Sequence, residues 1–191
     1  MTAVTRFREA LKTHEIPESI QSQIFHGYET VSDRSKKEKK AAFFIDAVNR
    51  MDILLDPETN QSIRDSCACS KGGWRLKAMK KIAKEYPEKS IEEKLGAICE
   101  VKQMGNPRLN PDGTITASIG ETGGFECPCP VFHGVGITEP VSITYCYCCA
   151  GHFRHHYQIA LDVKLETVTV ESSALESQRT KPCRFIYRII E

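Results

Sequence analysis

The chain has 191 residues, and its 26 lysine and arginine residues nearly balance 25 aspartate and glutamate residues, for a formal net charge of +1. A charge this small provides no field that attracts a polyanion, so we expect no nucleic-acid partner. No apolar run approaches the roughly 20 residues that a membrane helix needs, so we expect no membrane partner. The length suits one domain with a well-buried core, and the sequence does not indicate an oligomeric state.

The nine cysteines bear on the cellular compartment. The first residues mix charge with helical periodicity and lack the apolar core of an export signal. Cysteine-rich proteins without such a signal usually keep their thiols reduced, and an odd number of cysteines agrees with that state. We therefore expect a cytoplasmic protein with free thiols.

Helical periodicity dominates the chain up to about residue 104, where six helices are predicted in succession. Pro17 is placed to open the second helix, and the third covers about residues 33–55. Asp56-Pro57-Glu58 is a typical helix start, with a cap, a first-turn proline and an acidic first turn. Ser90-Ile-Glu-Glu93 is a capping box for the last of the six helices.

The pattern changes after residue 104 to turn and strand signals. Asn110-Pro-Asp-Gly113 is a turn between short alternating segments, which predicts a hairpin. Residues 141–148 alternate and are rich in β-branched and aromatic side chains, which predicts a strand. A helix over 149–164 and strands over 166–172 and 183–190 follow. We therefore predict an α+β fold in which a helical half, 1–104, packs on an antiparallel sheet with one long helix, 105–191, as one compact unit.

Residues 145–156, Tyr-Cys-Tyr-Cys-Cys-Ala-Gly-His-Phe-Arg-His-His, hold three thiols and three imidazoles. These two groups bind borderline and soft metals, and they supply common nucleophiles and bases. The predicted strand-to-helix junction places Cys148 and Cys149 at the positive end of the helix dipole, which favours thiolates. His152 lies one helical turn beyond them, and His156 one turn further.

Cys127-Pro-Cys-Pro130 is the second thiol-rich segment. A residue before proline is held in extended backbone, so both of its cysteines project in defined directions. A zinc site is usually built from two short ligand pairs on different segments, and the two thiol-rich segments can supply them. We predict a metal site, with zinc as the first candidate, at six side chains: Cys127, Cys129, Cys146, Cys148, Cys149 and His152.

Two alternatives to a metal site stay open. The thiols could serve redox or nucleophilic chemistry, or they could pack inertly as small hydrophobes. Cys67 and Cys69 could complete the same site or bind nothing. Cys99 is expected to pack in the core. Cys183 could pack or reach the cluster, with packing favoured, and His133 could be a ligand, a base or, most simply, a loop residue.

Catalytic residues are less well defined in the sequence. His156 is a candidate ligand or base, and Glu126, next to Cys127, is a candidate acid or base that could act on a metal-bound water. Glu121 and Glu139 are further options, although surface carboxylates are the simpler interpretation. The glycine-containing loop at 120–124 matches neither nucleotide-binding fingerprint, so we expect no nucleotide cofactor.

Several C-terminal segments carry a family resemblance: Tyr145-Cys146, the helix from Gly151, Val168-Thr-Val-Glu-Ser172 and Cys183-Arg-Phe-Ile-Tyr-Arg-Ile189. They resemble the end of the vinyl-reductase-like (V4R) small-molecule-binding domains and are similar to the L-2-amino-thiazoline-4-carboxylic acid hydrolase-like family. The resemblance implies an α+β domain with a ligand pocket and, in some members, a cysteine-based metal site. The whole chain also resembles a family of bacterial Cys/His-rich proteins, from which no activity follows.

The function that we expect is that of a cytoplasmic metal-binding protein whose Cys/His site lies next to a pocket for a small-molecule ligand or substrate. The second interpretation is a metal-dependent hydrolase of a small amide-like or cyclic C–N substrate. The third is a thiol-based redox protein. A site closed by four protein ligands would be structural, and one with an open position would be catalytic.

Overall fold

The computed structural model describes residues 2–69, 71–120 and 125–190, so Glu121 and its loop lie outside the described residues. The helices in these ranges are α1 Ala3–Thr13, α2 Glu18–Ile24, α3 Lys37–Leu54, α4 Pro57–Ser66, α5 Gly73–Glu85, α6 Ile91–Cys99 and α7 Tyr147–Leu161. The six helices predicted before residue 104 are confirmed. The helix predicted over 149–164 is confirmed as α7, which begins two residues earlier and ends three residues earlier than predicted. Within these ranges no helix is both long enough and apolar enough to cross a bilayer.

The strands form one antiparallel sheet. They are β1 Arg108–Leu109, β2 Thr114–Ile119, β3 Leu165–Ser172 and β4 Cys183–Ile189, and their order is β1-β2-β4-β3. The hairpin and the last two strands agree with the sequence prediction. The α+β fold, with helices in the N-terminal half and an antiparallel sheet in the C-terminal half, is therefore confirmed.

Local capping explains where α4 and α6 begin. The Asp56 carboxylate accepts a hydrogen bond from the backbone N–H of Thr59 at 2.8 Å, and Pro57 occupies the first helical position. The Ser90 hydroxyl accepts from the Glu93 N–H at 3.2 Å, while the Glu93 carboxylate accepts from the Ser90 N–H at 2.9 Å. Both start signals are confirmed, because their partners lie within three residues in the sequence.

The strand predicted over 141–148 is wrong. Ile143–Cys146 form a short 3-10 helix that runs directly into α7. The side-chain oxygen of Ser142 accepts from the Thr144 N–H at 3.2 Å, and the Thr144 hydroxyl donates to Asp52 of α3 at 2.7 Å. Periodicity alone cannot distinguish a short apolar strand from a buried helical segment. Here the Ser142 cap and the contact with α3 favour the helical conformation.

Helix α7 lies between the other helices and the sheet. On the sheet side, Phe153 stacks on Phe185 with ring centroids 5.8 Å apart, and Tyr157 meets Tyr187 edge-on at 5.9 Å. On the α4 side, a Cβ added at Gly151 would lie only 2.6 Å from the backbone oxygen of Asp65. The absence of a side chain at this glycine therefore permits the close packing of α7 on α4.

We predict that Gly151→Ala destabilises the protein by about 1–3 kcal/mol, because the new methyl group overlaps backbone that cannot move aside cheaply. Alanine is otherwise the better helix former by roughly 1 kcal/mol, so the helix propensity opposes this effect. Gly96→Ala in α6 is the matched control, since nothing lies within 4 Å of its added Cβ. Urea unfolding should show Gly96→Ala to be neutral or stabilising, and equal effects of both substitutions would contradict the close contact.

Candidate cysteine-lined site

A cavity of about 420 Å³ lies between α5, α7, the sheet and the loop around residue 128. Seven of the nine cysteines line it: Cys69, Cys127, Cys129, Cys146, Cys148, Cys149 and Cys183. The other polar side chains on its wall are Arg75, Gln103, His133, Tyr145 and His152. Ile119, Phe153 and Phe185 supply apolar surface, and no carboxylate is among the described residues that line the cavity.

The six side chains predicted as metal ligands all border this cavity. Helix α7 contributes Cys148, Cys149 and His152, and the 3-10 helix ends at Cys146. As these side chains stand, no three Cys, His, Asp or Glu groups of the described residues are arranged to hold one ion. The structure thus places the six around one space, and metal binding itself stays a prediction.

Sequence reasoning gave too little weight to Cys69, Cys183 and His133, which line the same cavity. Cys67-Ala-Cys69 repeats the one-residue spacing of the other cysteine pairs, and this repeat was a usable signal. Cys183 is the first residue of an ordinary strand pattern, so nothing local distinguishes it from a core cysteine.

The two candidate catalytic residues lie away from the cavity wall. Glu126 is exposed, and its carboxylate lies 3.7 Å from the guanidinium of Arg179. His156 is fully buried beneath the wall, and neither residue is among the described ones that line the cavity. Their geometry gives no specific support to a hydrolase.

Cys129 is the cavity cysteine whose surroundings favour a thiolate. The Cys127 thiol donates to it, the Tyr145 hydroxyl lies 3.1 Å from its sulfur, and two backbone N–H groups add further hydrogen bonds. These bonds, with Cys127 first, lower the pKa of Cys129 from 9.0 to about 6, although burial opposes the change. Burial raises the pKa of Tyr145, so its phenol keeps its proton and donates it.

Burial has the opposite effect on the thiols of the α7 region. It raises the pKa of Cys148 to about 12 and raises those of Cys146 and Cys149 as well. The helix dipole was expected to favour thiolates at Cys148 and Cys149, and burial outweighs it in the metal-free protein. The cavity therefore combines one acidic thiol with several neutral ones.

His152 is prepared to act as a ligand. Its Nδ1 lies 2.6 Å from the backbone oxygen of Cys69, and Nδ1 of His156 lies 2.8 Å from that of His152. Because a carbonyl oxygen only accepts, both rings carry a proton on Nδ1 when neutral and leave a lone pair on Nε2. Burial lowers the pKa of His152 to about 4, so the ring is neutral at pH 7. Metal-binding histidines commonly have their other nitrogen fixed in this way.

Arg64, which sequence reasoning did not select, lies beneath the cavity. Its side chain is 2% exposed, and its Nη2 donates to the backbone oxygen of Tyr145 at 3.1 Å. The guanidinium carbon lies 4.6 Å from the centroid of the Tyr145 ring. In the described part of the chain no carboxylate forms an ion pair with Arg64, and its Nε has no hydrogen-bond partner.

We predict that Tyr145→Phe raises the pKa of Cys129 in the metal-free protein by about 1–2 units, because the thiolate loses one charge-assisted hydrogen bond. In the wild type, alkylation of Cys129 should slow as the pH falls through about 6, where the thiolate is protonated. The rate is followed by peptide mapping after treatment with iodoacetamide. Tyr147→Phe is the control, and an unchanged midpoint in Tyr145→Phe would contradict the proposed donor.

Comparison with known proteins identifies a family for this chain but gives no activity. No curated protein and no solved structure matches the sequence. A model of a family of unknown function, DUF6144, matches residues 7–179. Because this match spans most of the chain, the protein belongs to the DUF6144 family.

Proposed function

We propose that the protein binds a thiophilic divalent metal ion, zinc before others, in the cysteine-lined cavity, beside space for a small molecule. The observation that carries this proposal is that seven cysteines from separate parts of the chain border one space of about 420 Å³. Thiolate and imidazole are the usual zinc ligands, and zinc sites are commonly assembled from short pairs on different segments.

Inert packing accounts for this arrangement less well. A cysteine that serves as a small hydrophobe packs individually, as Cys67 and Cys99 do, each with its sulfur near a backbone oxygen at 3.9 and 3.6 Å. Cys146 and Cys183 also have such partners, the Ser173 hydroxyl at 2.9 Å and the Ala174 N–H at 3.4 Å, yet they border one volume together with five other cysteines. Metal coordination would explain why so many thiols border one volume.

Ion binding requires thiol side chains to rotate into the cavity and lose protons. A coordinated ion occupies a small part of about 420 Å³, and the remainder is in the size range of a small-molecule site. Thiols that must stay reduced to bind metal also support a cytoplasmic location. An open coordination position facing the remaining volume would make the site catalytic, and a fourth protein ligand would make it structural.

The first test is the metal content of untagged protein purified without chelator. We expect about one equivalent of zinc that masks three or four thiols from titration until it is chelated. Cys148→Ser should reduce the zinc content strongly, because its thiol lines the cavity. Cys99→Ser, which changes a thiol outside the cavity, should leave the zinc content unchanged.

Metal-free protein that takes up neither Zn²⁺ nor Co²⁺, with the same thiol reactivity before and after chelation, would exclude the metal site. Equal loss of zinc in Cys148→Ser and Cys99→Ser would show that the substitutions act through folding. Circular dichroism of both variants checks that their helix content is retained.

A specific observation favours a second candidate, a thiol-based redox function. Cys129 shares a hydrogen bond with Cys127, so a nucleophilic thiol stands directly beside a thiol that could resolve a mixed disulfide. Tyr145 donates to the same sulfur. Attack of Cys129 on oxidised glutathione would release one glutathione thiolate, and attack of Cys127 on the mixed disulfide would release the second.

We predict for this candidate that oxidised glutathione converts Cys127 and Cys129 into a disulfide, detected by peptide mass as the loss of two hydrogen atoms. Cys127→Ser should stop at the mixed disulfide on Cys129, because no neighbouring thiol completes the exchange. Glutathione bound to many cysteines without preference for Cys129 would contradict the redox function.

A further inference from the structure

Among the residues that the structure describes, Arg64 is a buried cation without a carboxylate partner, and this is costly unless another anion neutralises it. Aromatic faces compensate in part: its guanidinium carbon lies 4.6 Å from the Tyr145 centroid and 5.5 Å from those of Phe7 and Phe44. An aromatic ring carries no net charge, so the positive charge of Arg64 remains to be balanced.

Tyr145 connects Arg64 to the cavity, because its ring centroid lies 4.6 Å from the guanidinium carbon and its hydroxyl lies 3.1 Å from the Cys129 sulfur. The thiols whose ionised forms would act on the charge of Arg64 are Cys148, Cys67 and Cys129. Cys129 and Cys148 line the cavity, and the Tyr145 phenol holds its proton. Arg75 is a second arginine on the cavity wall, but it is partly exposed, so water solvates its charge. Arg64 therefore lies behind Tyr145 of the cavity wall, as the one fully buried cation among the described residues of this region.

The charge of a metal–thiolate centre depends on how many thiolates coordinate the ion. A divalent ion with two thiolates is neutral, with three it carries one negative charge, and with four it carries two. Only the three-thiolate centre is neutralised by a single arginine, and a buried site is most stable when its charges balance. The Nδ1–H of His152 points to the backbone oxygen of Cys69 at 2.6 Å, so the ring can complete a tetrahedral set through Nε2 as a neutral imidazole without altering that balance.

We propose that Arg64 is the counter-ion of a net-anionic metal centre in which three cavity thiolates, Cys129 and Cys148 among them, and His152 bind one divalent ion. This inference rests on the proposed metal-binding function and specifies the ligand set and the residue that balances its charge. Arg64 does not touch the ion. Its positive charge balances the one excess negative charge that three thiolates leave on a divalent ion, and so it favours the three-thiolate centre.

The test is the affinity of chelator-treated protein for Co²⁺ and Zn²⁺, measured by competition with a chromophoric chelator. Arg64→Met removes the charge and keeps similar length and volume, and we expect it to lower the affinity by about 10- to 100-fold. Arg64→Lys keeps the charge and should lie within a few-fold of the wild type. Arg188→Met, at an exposed arginine of β4, is the matched control.

A second readout separates charge balance from packing. Without metal, Arg64→Met should be close to the wild type in its resistance to urea, because one thiolate, Cys129, offsets the desolvation cost of the buried arginine only in part. With metal, its resistance should fall below that of the wild type. In the wild type the bound ion should protect about three thiols, and His152→Ala should change the Co²⁺ ligand-field spectrum.

The outcomes are distinguishable. If the wild type binds metal and Arg64→Met binds it equally well, the counter-ion role is wrong while the metal-binding function stands. If Arg64→Met and Arg64→Lys lose metal binding and metal-free stability together, Arg64 serves packing and the inference fails. Two or four protected thiols would overturn the ligand set, and a wild type that takes up no metal would overturn both proposals.

Discussion

The close packing of α7 on α4 is the contact on which the rest of the structure depends. The distance between two helices is set by the side chains at their contact, and Gly151 places none there. Its backbone therefore lies directly against that of Asp65, where any Cβ would meet the backbone oxygen at 2.6 Å. Arg154 pairs with the Asp65 carboxylate, which also accepts from the Thr167 hydroxyl at 3.2 Å, and so the contact extends to β3.

This placement determines the chemical state of the thiols. Because α7 lies between the other helices and the sheet, its first turn holds Cys148 and Cys149 in the interior around the cavity, and this desolvation keeps them protonated. Cys129 approaches the same space from a loop whose backbone N–H groups and Cys127 thiol stabilise negative charge. The combination of one acidic thiol and several neutral thiols around one cavity therefore results from tertiary packing. No single segment of the sequence supplies it.

Sequence reasoning succeeded where a signal and its partner are neighbours in the chain, as with the caps at Asp56 and Ser90. It failed where contacts between residues far apart in the chain determine the structure. The start of α1 is capped by Asp33, whose carboxylate accepts from the Val4 N–H at 2.8 Å, and nothing near Val4 indicates this. The six ligand candidates could be identified by residue type and spacing. Arg64 is an ordinary arginine of a polar helix in the sequence, and only tertiary packing, which buries it, distinguishes it from the others.

The cavity itself argues against a purely structural role for these residues. The space of about 420 Å³ is partly open to solvent, so a small ligand can reach its thiols. Water could fill it, but thiols are weak hydrogen-bond partners, and aromatic and aliphatic side chains form much of the remaining wall. Larger side chains at a few of the cysteine positions would fill this space, and the metal ion that we propose would give a reason for keeping it open and lined with sulfur.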